Sequence, residues 1–204
     1  MPASTTPGAV TRIDRTAFFN VVRARLFGGI LKQAQVDGMN AILDEWESRG
    51  LKDQRWLAYM LATAKHETNA TMQAVREAYW LSEDWRRAHL RYWPYYGRGL
   101  VQLTWRENYE KMGRFLDLPL VSDPDLALDP SASVKIMFEG MLNAETGVGD
   151  FTGKSLEMYF NDTTDDPIGA RKIINGTDKA PLIAGYHHDF LEALKASSSC
   201  VRAA

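Results

Sequence analysis

The chain reads YYGRGLVQLTW over Tyr95–Trp105, a stretch that combines a turn, polar side chains and aromatic rings. Its glycines flank Arg98 and predict a flexible turn, and the residues that follow predict a short strand. Because side chains alternate along a strand, Gln102 and Thr104 would share one face, where an amide and a hydroxyl can hold a water molecule or sugar hydroxyls. The neighbouring aromatic rings offer flat apolar faces for sugars. For Tyr95 taken singly, a core aromatic cluster around a buried arginine is about as good an explanation.

Outside this stretch the hydrophobic pattern is helical. Apolar residues recur at intervals of three and four, as they do on one face of a helix. The pattern predicts helices over residues 14–26, 36–46, 54–66, 83–90, 108–116, 131–142, 155–159, 167–174 and 182–195. No segment alternates for long enough to build a sheet of any size. We therefore predict a mainly α fold with at most a very small β element.

A chain of 204 residues predicts a single domain. Residues 1–12 are rich in Pro, Ser, Thr and Gly and predict a flexible N-terminal lead-in. The domain is predicted over residues 13–196, with a C-terminal tail over 197–204 that contains the single cysteine, Cys200. One cysteine cannot form a disulfide within its own chain, which is compatible with a reducing compartment.

The charge balance excludes several classes of partner. The chain has 24 Lys and Arg against 26 Asp and Glu, a net charge of -2, which argues against nucleic-acid binding. No apolar run approaches the ~20 residues needed to cross a bilayer, so membrane insertion is not expected. The N-terminus has no basic segment followed by an apolar one, so we expect no secretory signal and a cytoplasmic, monomeric product when it is synthesised.

Two glutamates are candidates for acid–base chemistry. Glu67 falls at the last turn of the predicted third helix, at the edge of its apolar face, where partial burial suits a proton donor. Glu77 follows ten residues later, beyond a turn-prone segment. Two carboxyl groups that face each other across a cleft are what glycosidic hydrolysis requires. The spacing is weak evidence by itself, because 26 acidic residues supply many such pairs. An isolated Glu67 would be better explained as a surface carboxylate that closes the helix.

Four motifs, taken in order, resemble glycoside hydrolase family 19, which holds plant-type chitinases and many bacteriophage endolysins. They are His66-Glu67-Thr68, residues 95–104, Asn108-Tyr109 and residues 173–176. The resemblance implies a lysozyme-like, two-lobed helical domain with a central cleft. It also implies that Glu67 is the general acid and Glu77 the second carboxylate, with Thr104 in the catalytic group. The substrate-binding residues that we predict are His66, Tyr95, Tyr96, Arg98, Gln102, Asn108 and Asn175.

The sequence departs from the plant members of that family. Plant members follow His-Glu-Thr with Thr-Gly-Gly, whereas this chain has Asn69-Ala70-Thr71. In the plant enzymes the second glutamate lies further along the chain, so Glu83 or Asp84 competes with Glu77. Ser82, however, is typical of a helix N-cap followed by acidic residues, which favours a structural role for that pair. The plant disulfides and extra loops are absent, which moves the resemblance towards the phage and bacterial lytic branch.

The expected function is therefore an endolysin-type hydrolysis of β-1,4 bonds in peptidoglycan glycan strands, with inversion and with no metal or organic cofactor. Such a protein depends on a separate pore protein for release to the cell wall. A chitinase is the alternative within the same class, and a non-catalytic sugar-binding protein is the alternative from another class. Neither His187-His188-Asp189 nor the acidic loop at 161–166 has metal-ligand spacing, and we expect both to lie at the surface.

Overall fold

The computed structural model describes residues 12–142 and 151–198. Nearly all of the predicted lead-in and most of the predicted tail, with Cys200, lie outside the described residues. Within the two ranges there are seven α-helices: α1 Arg15–Leu26, α2 Gln33–Ser48, α3 Gln54–Glu67, α4 Glu83–His89, α5 Arg106–Leu116, α6 Pro130–Leu142 and α7 Ala180–Ser197. None of these helices is both long enough and apolar enough to cross a bilayer.

Among the residues that the structure describes, the β structure is one antiparallel pair of two-residue strands. β1 (Val75–Arg76) pairs with β2 (Arg98–Gly99), so that Val75 lies opposite Gly99. Together with the helices, this pair confirms the prediction of a mainly α fold with a very small β element. The pair joins the segment that carries Glu77 to the segment that carries Gln102, and so brings two distant parts of the chain to one place.

Side-chain caps explain where three of the helices begin. The side chains of Asp14, Asp53 and Ser82 accept hydrogen bonds from backbone N–H groups in the first turns of α1, α3 and α4. Such caps satisfy donors that the helix itself leaves without partners. The cap at Ser82 confirms the structural reading of the Glu83-Asp84 pair, which occupies the first turn of α4.

α3 is the central helix of the domain. It packs against α7 and, less extensively, against α2 and α6, while α7 also packs against α1. All residues from Leu57 to Lys65 are buried, which is typical of a helix surrounded on every side by other elements. A helix held in this way fixes the position of its last turn, where His66 and Glu67 reach the cleft.

Three local predictions were wrong. Residues 100–104 do not form a strand: Gln102 has a φ of 52°, and reciprocal hydrogen bonds between Arg98 and Leu103 close a tight turn. A strand cannot reverse direction over so few residues. The segments near 155–159 and 167–174 form 3-10 turns rather than α-helices.

His187 is a further correction. It is 4% exposed and stacks on Phe160, with the ring centroids 5.1 Å apart. His188, one position along, keeps 70% of its side chain exposed. Neighbouring residues on a helix point about 100° apart, so the packing of α7 against α3 buries one histidine and exposes the other.

Candidate active site

An open cleft of about 660 Å³ lies beside the last turn of α3, the β1–β2 pair and the turn at 101–105. Seven of the ten predicted site residues line it: His66, Glu67, Glu77, Gln102, Thr104, Asn108 and Asn175. The two glutamates therefore enter one cavity from separate elements. The remaining three, Tyr95, Tyr96 and Arg98, do not line the cleft.

Glu67 is held by a buried arginine. Its Oε1 accepts a hydrogen bond from a guanidinium N–H of Arg171 at 2.6 Å. Arg171 is 2% exposed, and its Nε donates to the carbonyl of Asp178 at 2.9 Å. Among the described residues no hydrogen bond reaches the other oxygen, Oε2. Sequence analysis missed Arg171, which adjoins the predicted Ile173–Gly176 motif but carries no signal of its own.

Glu77 has a different environment. Its backbone N–H donates to the carbonyl of Gly97 at 2.6 Å, and the N–H of Gly97 donates to Oε2 at 2.9 Å. The hydroxyl of Tyr92 donates to Oε1 at 2.7 Å. Each oxygen thus faces a neutral donor, which suits an ionised carboxylate because that group can only accept hydrogen bonds.

Tyr92 is a second residue that sequence analysis missed. Burial, together with the adjacent Glu77 carboxylate, raises the pKa of Tyr92 to about 12. The phenol therefore keeps its proton at neutral pH and remains a donor to Glu77. Tyr92 lies among several Trp and Tyr residues without a regular period, so nothing in the sequence distinguished it from its neighbours.

The turn after β2 supplies polar groups to the same cleft. The side-chain amide of Gln102 donates to the carbonyls of Val75 and Gly99 at 3.0 and 3.1 Å. The hydroxyl of Thr104 donates to the Gln102 carbonyl at 2.7 Å, and the amide of Asn108 donates to the Thr104 carbonyl at 2.9 Å. Because the donors are used within the turn, each of these three side chains retains an oxygen that can accept a hydrogen bond.

Of the three predicted residues outside the cleft, Tyr96 and Arg98 are buried and Tyr95 is half-buried. Arg98 is 4% exposed, and its guanidinium carbon lies 3.7 Å from the ring centroid of Tyr96. Its Nε donates to Asp125 at 2.8 Å. The Tyr95 hydroxyl donates to the Val121 carbonyl at 3.2 Å. The aromatic cluster around a buried arginine, which the sequence left open, is the arrangement found, and we assign these residues to support of the turn.

Glu83 belongs to the same support. Burial by itself would raise the pKa of Glu83, but hydrogen bonds from Trp93, Arg86 and Tyr96 together lower it. Neither Glu83 nor its neighbour Asp84 lines the cleft. Glu77 is therefore the carboxylate that shares the cavity with Glu67.

Aromatic rings and a neutral histidine complete the cleft wall. Tyr79, Trp80 and Trp105 line the cavity and are 42%, 67% and 44% exposed, so their faces are accessible to a ligand. Burial lowers the pKa of His66, and the imidazole is therefore uncharged at pH 7. Within residues 12–142 and 151–198, no group of three or more His, Cys, Asp or Glu side chains could hold a metal ion.

Comparisons with known proteins show what this chain is similar to. The sequence profile of glycoside hydrolase family 19, described as "Chitinase class I", matches residues 64–145. Over that range the chain is similar to glycoside hydrolase family 19.

Its curated relatives include plant proteins. Endochitinase At2g43610 of Arabidopsis thaliana is 30% identical over 125 residues, which are 58% of this chain and 44% of that protein. Endochitinase 1 of Theobroma cacao is 49% identical over 45 residues, 22% of this chain and 14% of that protein. The chain thus spans less than half the length of the curated relatives that it matches.

Solved structures share the fold across nearly the whole chain. Chitinase C from Streptomyces griseus HUT6037 superposes with a TM-score of 0.53 at 19% identity, covering 95% of this chain and 98% of that one. The class IV chitinase from Zea mays has a TM-score of 0.51 at 21% identity, with 90% and 93% covered. These similarities establish the fold.

Proposed function

We propose that the protein is an endolysin-type glycoside hydrolase that cleaves β-1,4 bonds in the glycan strands of bacterial peptidoglycan. One observation carries the proposal: Glu67 and Glu77 line one cleft but have different partners, a buried guanidinium for the first and two neutral donors for the second. Two carboxyl groups in contrasting environments suit the separate roles of acid and base.

Glu67 acts as the general acid. Arg171 orients the side chain through Oε1, which leaves Oε2 as the oxygen through which a proton passes to the oxygen of the leaving sugar. Once the proton has left, the guanidinium stabilises the carboxylate that remains. Arg171 is thus a positioning residue for Glu67.

Glu77 acts as the general base on a water molecule. A nucleophilic water must donate one proton to the base and benefits from a second acceptor that orients it. The oxygens of Gln102 and Thr104 are suited to that second contact, because both side chains use their donors within the turn. Attack by this water on the anomeric carbon opens the glycosidic bond in one step.

A single displacement inverts the anomeric centre. Inverting enzymes keep their two carboxyl groups roughly 6.5–9.5 Å apart, which leaves room for the water, whereas retaining enzymes hold them at about 5 Å. We therefore expect the first product detected by proton NMR to carry the inverted anomer. Initial formation of the retained anomer would exclude the water mechanism.

Peptidoglycan is the proposed substrate because Glu77 follows Glu67 by only ten residues along the sequence. This short separation resembles that in the phage and bacterial lytic members of the family. Chitin is the second candidate, favoured by the similarity to plant endochitinases, and it shares the β-1,4-linked N-acetylglucosamine unit. We further propose that the protein acts as a monomer, needs no cofactor, and reaches the wall from the cytoplasm through a separate pore protein.

The decisive experiment compares purified peptidoglycan with colloidal chitin, using the wild type and Glu67→Gln, with products identified by mass spectrometry. We expect muropeptides with new reducing ends from the wild type and a loss of at least about 100-fold in the variant, because general acid catalysis contributes roughly 10²–10⁴-fold. Glu157→Gln, at an exposed glutamate, is the matched control. Activity on chitin alone would select the chitinase, and inactivity on both would select the sugar-binding protein.

A further inference from the structure

We propose that Arg91 and Trp105 form a subsite for a carboxylate-bearing sugar at one rim of the cleft. The inference rests on the proposed function and deepens it, because it assigns the choice between an acidic and a neutral glycan to one side chain. In peptidoglycan the carboxylate belongs to the attached peptide or, where a sugar carries no peptide, to the lactyl ether of that sugar.

Trp105 is a fixed aromatic platform. It lines the cleft and is 44% exposed, so part of its ring is open to a ligand. Its backbone N–H donates to the carbonyl of Tyr95 at 2.9 Å, and the ring of Tyr92 meets it edge-on with the centroids 5.0 Å apart. A sugar ring can pack on such a surface with little loss of side-chain entropy.

Arg91 places a positive charge on this platform. Its guanidinium carbon lies 5.2 Å from the ring centroid of Trp105, within the range of a cation–π contact. The side chain is exposed, and no carboxylate of the described residues lies within ion-pair distance of it. By contrast, Arg76 and Arg171 already pair with Asp125 and Glu67.

The difference between the two glycans follows from this charge. Chitin presents neutral acetamido groups, whereas peptidoglycan presents a carboxylate on or beside every second sugar. A ring that packs against Trp105 brings its substituents within reach of the Arg91 guanidinium, which binds carboxylates through paired N–H donors. Trp105 also contacts Tyr92, which donates to Glu77, so this subsite adjoins the group that we assign as the base.

The chain offers a matched control for this pair. The guanidinium carbon of Arg87 lies 4.8 Å from the ring centroid of Trp93, and Trp93 is 38% exposed. Trp93 does not line the cleft. Arg87 therefore makes the same kind of contact outside the cleft.

The test measures binding of three soluble glycans to proteins that carry Glu67→Gln, so that the ligands are not degraded. The glycans are peptidoglycan strands with their peptides, the same strands after an amidase has removed the peptides, and N-acetylglucosamine hexamers. Arg91→Gln should weaken binding of a carboxylate-bearing strand about tenfold and binding of the neutral hexamer less than about twofold. The loss should shrink as salt is raised, and Arg87→Gln should change none of the three affinities.

The two acidic strands locate the carboxylate. A loss confined to the amidase-treated strand places it on the lactyl ether, whose carboxyl group is bound in an amide while the peptide is attached. A loss confined to the peptide-bearing strand places it on the peptide, and a loss on both strands shows that Arg91 binds either carboxylate. Equal losses on acidic and neutral glycans, or no loss on either acidic strand, would overturn the inference. Hydrolysis of peptidoglycan by the wild type is measured in a separate assay. If the wild type degrades peptidoglycan but Arg91→Gln leaves binding unchanged, this subsite is refuted and the proposed function is not.

Discussion

The guanidinium of Arg171 lies 2.6 Å from Oε1 of Glu67, although 104 positions separate the two residues. Arg171 belongs to a 3-10 turn, Gly169–Ile173, and Glu67 ends α3. The contact therefore joins the end of α3 to this turn at the carboxyl group that we assign as the acid. The first prediction follows from the short distance between the two side chains and from the burial of Arg171.

Arg171→Met should lower the free energy of unfolding by about 3 kcal/mol, because it leaves a largely buried carboxylate without its charged partner. Urea denaturation measures the loss. The double variant with Arg171→Met and Glu67→Gln should lose less free energy of unfolding than the two single variants together, because the neutral amide at position 67 no longer needs the arginine. The exposed pair of Arg114 and Glu110 is the control, with a loss below about 1 kcal/mol for Arg114→Met. Strict additivity of the double variant would contradict the coupling.

Tyr92→Phe should lower kcat about tenfold and leave KM within about twofold. The substitution removes the hydrogen bond to Oε1 of Glu77, so the base loses an orienting contact while the sugar-binding surface stays in place. Steady-state kinetics on soluble glycan strands separate the two constants. Tyr159→Phe, at a half-buried tyrosine outside the cleft, should leave both unchanged. A rise in KM without a fall in kcat would assign Tyr92 to substrate binding instead.

Gly97→Ala should damage activity more than stability. A Cβ at residue 97 would lie 2.7 Å from Oε1 of Gln102 and 3.2 Å from Oε2 of Glu77, so both groups must shift. We expect kcat/KM to fall at least about tenfold, with a loss of only about 1–2 kcal/mol in the free energy of unfolding. Gly185→Ala is the control, because the added methyl meets nothing within 4 Å and a helix interior favours alanine. Normal activity in the Gly97 variant would show that the cleft tolerates displacement of these groups.

His187 should make the protein lose stability in mild acid. Burial lowers the pKa of His187 to about 4, below the value of about 6.5 in the unfolded chain. The unfolded state therefore binds more protons between these two values, so stability is complete above pH 6.5 and falls by about 3 kcal/mol as the pH drops to 4.

Urea denaturation at several pH values tests this dependence. His187→Phe keeps an aromatic ring next to Phe160 but cannot titrate, so its stability should change less between pH 6.5 and 4 than that of the wild type. His188→Gln should follow the wild type, because that side chain is 70% exposed. Identical pH profiles for His187→Phe and the wild type would rule out the buried imidazole as the cause.

The sequence was most informative where one local pattern governs the structure. Periodic apolar residues and a cap such as Ser82 act over a few positions, and the longer predicted helices are present in the structure. The turn at 100–104 was predicted as a strand, because alternating side chains resemble one and a positive φ at Gln102 leaves no trace in the pattern. His187 was placed at the surface because two neighbouring histidines look alike until α7 packs against α3.

The periodic apolar residues were sufficient to predict a mainly helical fold, and the motifs around Glu67, Glu77 and Thr104 were sufficient to predict the family resemblance. They did not distinguish residues that line the cleft from residues that support it: Arg98 and Tyr96 are in the most distinctive motif yet lie behind the wall. Only the tertiary structure paired Arg171 with Glu67 and Tyr92 with Glu77. The physical reason is that a side chain's environment depends on elements far away in the sequence, whereas helix formation depends mainly on near neighbours.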